Sequence, residues 1–103
     1  MTVKQIEDIL LLYQKHGWTL RRILLSPKLK KQIADSLKMF SEIEIIESQI
    51  DAAWFSRASG KDREAWELRR LSETPYALFE VFEADQKNEV CEEIRREMES
   101  KLK

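Results

Sequence analysis

The sequence predicts an α+β fold: a single two-layer domain in the order α-β-α-β-β-β-β-α, with a mainly antiparallel sheet and helices packed on at least one face. Three observations predict it. Apolar residues recur at helical spacing at both ends of the chain. Short runs rich in β-branched and aromatic residues fill the middle. Only two Gly and two Pro occur in 103 residues, so long loops are improbable. One domain of this length can close a core without staples.

The elements follow in order. Thr2 to Gln5 forms a capping box, and Val3, Ile6, Leu10 and Tyr13 then repeat on one side of a first helix. Gly17 ends it. Residues 18–26 are bracketed by Gly17 and Pro27 and contain Trp, Thr and Ile, which favours a strand. Their apolar residues fall on both parities, as in an inner strand covered on both sides. A short helix is the alternative. Ser26 and Pro27 start a second helix, with Leu29, Ile33, Leu37 and Phe40 facing one way. Residues 42–48 alternate charged and apolar and read as an edge strand. Strands follow at 51–57, 64–70 and 76–82. Asp85 or Asn88 caps a last helix in which Val90, Ile94, Met98 and Leu102 recur every four residues.

One phrase occurs twice: Ala53-Trp54-x-x-Arg57 and Ala65-Trp66-x-x-Arg69. The two copies read as the arms of a hairpin. A two-residue Gly60-Lys61 turn of type II′ is the expected link. It pairs Arg57 with Glu64, Phe55 with Trp66, Ala53 with Leu68 and Asp51 with Arg70, all compatible neighbours. In that register the tryptophans point to opposite faces. Trp66 joins Phe55, Leu68, Phe79 and Val81 in the core. Trp54 lies on a mixed polar face with Glu67, Arg69, Tyr76, Leu78 and Glu80.

Composition narrows the function. The charged fraction is 36% but the net charge is −1, which describes a salt-bridged surface rather than a field of one sign. Residues 1–40 carry +5 and residues 41–103 carry −6, so the two halves are expected to neutralise each other side by side. The lone cysteine, Cys91, excludes an intrachain disulfide and suits a reducing compartment; a cytoplasmic location is expected. The start of the chain lacks the basic-then-apolar pattern of a secretory leader, and the longest apolar run, residues 9–13, is far short of a membrane span.

Catalytic signatures are weak. Asp51 with Glu67-Leu68-Arg69 superficially resembles the Mg²⁺-dependent nuclease pattern, but Arg69 stands where that pattern has Lys and cannot act as a base. The expected register also sets Asp51 and Glu67 on opposite faces. His16, the only histidine, falls at a helix end. No metal site, cofactor loop or catalytic residue is expected, and the chain reads as non-enzymatic. Two binding readings remain. The first is a protein-interaction module, by partner or self-association, through a sheet face formed by Trp54, Glu67, Arg69, Tyr76 and Glu80, residue types common at hot spots. The second is a nucleic-acid-binding accessory protein using a basic patch of Arg21, Arg22, Lys28, Lys30 and Lys31. The acidic pI of 5.9 weighs against the second.

Overall fold

Local signals set the element boundaries. In the computed structural model, which describes residues 1–39 and 43–103, Thr2 Oγ1 accepts from the Gln5 N–H while Gln5 Oε1 accepts from the Thr2 N–H. Both arms of the capping box therefore hold the start of α1 (Val3–Lys15). Gly17, at φ +86°, turns the chain out of α1 into β1 (Thr19–Leu25). The strand reading of residues 18–26 is correct. Ser26 caps α2 (Pro27–Ile33) through the Leu29 N–H. This helix is shorter than its apolar spacing suggests, because Asp35 and Ser36 are weak helix formers. A 3₁₀ turn (Ser36–Met39) still delivers Leu37 to the core. Phe40 lies outside the described residues.

The four remaining strands and the last helix are β2 (Glu44–Glu47), β3 (Ala52–Ala58), β4 (Arg63–Arg70), β5 (Ala77–Glu83) and α3 (Asn88–Ser100). Glu42, expected in β2, lies outside the described residues. Lys87, rather than Asp85 or Asn88, occupies the N-cap of α3, and no side chain bonds the free N–H groups there. Asn88 is already the first helical residue.

The sheet order is β2-β1-β3-β4-β5. All neighbours are antiparallel except β1 and β2, which the α2 crossover makes parallel. Helices cover both faces. On one side α1 and α2 enclose Ile6, Leu10, Leu20, Ile23, Leu25, Ile33, Ala53 and Phe55. On the other, α3 encloses Leu24, Ala52, Trp54, Trp66, Leu68, Phe82 and Met98. A bulge in β1 serves both layers. Leu20 pairs with Phe55 and Arg22 with Trp54, so Arg21 is an extra residue. Side-chain parity flips there, so Leu20 before it and Ile23 and Leu25 after it all face α1, while Leu24 faces α3, as in an inner strand covered on both sides.

The hairpin register differs from expectation by one residue. Ser59 N–H donates to the Arg63 carbonyl, and the loop is Gly60-Lys61-Asp62. Gly60 (φ +85°) and Asp62 (φ +57°) both adopt the left-handed region, which Asp tolerates better than most residues. A three-residue loop is thus available where a two-residue turn was expected. A slip of one residue flips every side chain relative to its partner strand. The observed pairs are Ala53 with Arg69, Trp54 with Leu68, Phe55 with Glu67, Ser56 with Trp66 and Arg57 with Ala65.

That register accounts for the repeated phrase. The two copies pair with each other about a local two-fold near Phe55 and Glu67, so each Ala faces the Arg of the other copy. Small meets large on the α1 side. Both tryptophans fall on the α3 side, with ring centroids 5.9 Å apart and planes at 69°.

Candidate interaction surface

Trp54 is fully buried, 0% exposed, so it is no part of an exposed platform. The corrected register carries it beneath α3, where its Nε1 donates to Glu99 Oε2 at 2.8 Å. The other four residues expected beside it do not share one face. Glu67 and Arg69 lie on the α1 side of β4, whereas Glu80 pairs with Trp66 on the α3 side of β5. Tyr76 precedes β5 and is 44% exposed. Phe79, expected in the core, is 56% exposed, because its parity follows Glu67.

The basic patch is also divided. The bulge sends Arg21 and Arg22 to the α3 side, where their guanidiniums stand 5.5 and 6.0 Å from the Trp66 ring centre. Lys28, Lys30 and Lys31 ride on α2, whose Leu29 and Ile33 pack on the opposite side. Arg22 is engaged: it bonds both carboxylate oxygens of Glu92 and lies 3.7 Å from Glu44. These pairs join the basic N-terminal and acidic C-terminal parts of the chain. The Arg22 bond is the main reason the Glu92 carboxyl is held below its usual range; burial opposes it and Arg95 assists. Arg95 completes the cluster, 3.8 Å from Trp66 and 4.9 Å from Phe82.

The nuclease-like trio does not assemble. The register places Asp51 and Glu67 on the same parity, not on opposite faces, but Glu67 pairs with Phe55, four residues along the strand. Four residues of strand is roughly 13 Å. Asp51 instead accepts from the Ser26 N–H at 2.7 Å, and Glu67 accepts from the Tyr13 hydroxyl. Among the described residues no group of three or more His, Cys, Asp or Glu side chains is placed to hold a metal. No helix there is long and apolar enough to cross a membrane.

What the fold leaves exposed on the α1-side face is its β5 border, at Phe79. Helix α1 lies over β1 and β3: Tyr13 stacks on Phe55 with centroids 4.1 Å apart. Farther along that face Ala65 is still buried and Val81 packs on the same core, whereas Phe79 is left exposed. No family model matches the chain, and no curated protein or solved structure matches it.

The exposed surface borders the end of α1. Leu12, Tyr13, His16, Trp18 and Glu67 line a shallow pocket of about 200 Å³. Leu12 is 54% exposed. Trp18 meets Phe79 edge-on at 6.4 Å, and the Arg57 guanidinium lies over the Trp18 ring, 4.4 Å from its centre. Arg57 is anchored in turn on the His16 carbonyl. Burial, then the bond to Glu67, raises the Tyr13 hydroxyl pKa well above the tyrosine range, so Tyr13 remains a donor that fixes Glu67. The sequence signals for this surface were Leu11 and Leu12, which widen the apolar stripe of α1 beyond what its core face needs. Phe79 needed the correct register.

Proposed function

We propose that the chain is a non-enzymatic protein-interaction module that contacts its partner through the exposed β5 border of the α1-side face, centred on Phe79 and bordered by Leu12, Trp18, Glu67 and Arg69. The observation carrying this reading is Phe79, a large aromatic left more than half exposed at the β5 border of the face that α1 and α2 pack on. Isolated exposed apolar residues are ordinary, but here Phe79 adjoins Trp18, with Leu12 on the rim of the same pocket. Glu67 and Arg69 supply a polar rim, the arrangement in which aromatic hot spots act.

The test is affinity capture with the wild type and with Leu12→Ser/Phe79→Ser, after both are shown to fold. Loss of specific binders in the double variant is expected. Capture of the same binders by both proteins would remove this surface from consideration. A nucleic-acid reading would rest mainly on Lys28, Lys30 and Lys31, because Arg22 is already engaged. Oligonucleotide binding that falls steeply with salt would favour that alternative.

A further inference from the structure

We propose that the occupant of this surface is a second copy of the chain, which adds its β5 antiparallel to β5 about a two-fold axis at Phe79. The inference rests on reading this region as an interaction face. It goes further by naming the partner, the edge and the register.

The argument begins with the ladder. The Arg70 N–H donates to the Tyr76 carbonyl, and the Ala84 N–H to the Asp62 carbonyl. Backbone groups of even-numbered residues along β5 therefore point to β4, and those of Ala77, Phe79, Val81 and Glu83 point away from the sheet. The strand is an edge. The Glu83 N–H is taken by Gln86 Oε1 at 2.6 Å. Pro75 has no N–H to offer at the other end. Among the described residues, nothing accepts from Ala77, Phe79 or Val81 on the outer side.

Three evenly spaced free positions are self-complementary in one way. With the axis at Phe79, Phe79 meets Phe79 of the other copy and Ala77 meets Val81. Every free N–H then finds a free carbonyl. Moving the axis to Glu80 sets two carboxylates directly opposite and matches Ala77 with the occupied Glu83. Moving it to Leu78 matches Val81 with Pro75. Residues 77–83 contain no Lys, no Arg and no Pro; their charges are Glu80 and Glu83, and the Phe79 axis sets Glu80 opposite Leu78 rather than opposite another carboxylate. The opposite edge, β2, is only four residues long and carries a Glu at each end. Strand pairing also places the two Phe79 rings side by side on the α1 face, removing apolar surface that is now open. The contact is small, which sets it among concentration-dependent associations.

Sedimentation from about 10 μM to about 1 mM covers the range in which such small interfaces form. The weight-average mass should rise from 12.3 kDa toward twice that value. Phe79→Lys, which sets like charges across the axis on an exposed site, should leave the thermal midpoint intact and hold the mass at the lower value. In a Cys91→Ala background, Phe79→Cys should yield a disulfide-linked dimer under mild oxidation, since a hydrogen-bonded pair has Cα atoms about 5.5 Å apart. Glu80→Cys should not. A wild type that stays at 12.3 kDa throughout, a folded F79K that still dimerises, or cross-linking at position 80 instead of 79 would each overturn the proposal. A monomeric wild type that still loses binders on Leu12→Ser/Phe79→Ser would leave the interaction reading standing and reject only the second copy.

Discussion

The indole N–H of Trp54, in the middle of β3, bonds the carboxylate of Glu99 near the end of α3. This link ties the centre of the sheet to the last turn of the helix that covers it. Trp54 is also the largest of the fully buried side chains. Trp54→Ala should therefore cost roughly 3–5 kcal/mol, the range for deleting a buried large aromatic. Tyr76→Ala, at an exposed position, should stay within about 0.5 kcal/mol of wild type. Urea unfolding of the two variants checks the contrast, and equal losses would contradict the assigned faces.

Glu92 predicts the acid limb of stability. Its carboxyl has a depressed folded-state pKa, held down first by Arg22. Its contribution is therefore present above the unfolded value of about 4.3 and is lost as pH falls through the lower folded value. Glu92→Gln should reduce stability at pH 7 and flatten the decline below about pH 4. Denaturant midpoints measured from pH 7 to pH 2 would show it. An unchanged acid slope in the variant would mean that the Arg22 pair does not persist in solution.

Tyr13 predicts the alkaline side. Its pKa is raised, by burial first and by the Glu67 bond second. The stabilisation is present below the unfolded value of about 10 and is lost as pH rises through the folded value. In a Tyr76→Phe variant only Tyr13 remains to titrate. Its phenolate absorbance should then appear later than in a denatured control, coinciding with alkaline unfolding if the fold yields first. Titration near pH 10 in the folded protein would rule out the buried bond.

Gly60 tests the loop that sets the register. A Cβ there meets nothing within 4 Å, so substitution acts through the backbone alone. Gly60→Ala should cost about 1–2 kcal/mol, the penalty for a non-glycine residue in the left-handed region. Asp62→Gly, at the other left-handed position, should be nearly neutral or mildly favourable. Thermal melts of both variants give the comparison.

Element existence was legible in the sequence because each boundary had a local cause: the Thr2–Gln5 box, Gly17, Ser26-Pro27 and the four-residue spacing from Val90 to Leu102. The faces were not. Gly60-Lys61-Asp62 supports more than one turn, and a change of one residue in loop length moves Trp54 and Trp66 between opposite faces and one shared face. The expected cross-strand pairs were each chemically sound, so pair energies of a few tenths of a kcal/mol could not choose between registers. The bulge at Arg21 left no mark beyond apolar residues on both parities. Burying two tryptophans beneath one helix is the larger effect and fixes the register in the fold.

The place of β1 orders the assembly of the molecule in time. Strands β3, β4 and β5 form a meander of neighbours in sequence, whereas β1 must find β3 across the whole of α2 and β2. Local pairings close at lower entropic cost, so the meander should condense first and β1 should insert beside β3 afterwards, completing the two cores it joins. Pulse-labelled hydrogen exchange should find protection at Phe55 and Leu68, whose N–H groups point into the meander, earlier than at Arg22 and Leu24. Simultaneous protection would mean that β1 is already part of the nucleus.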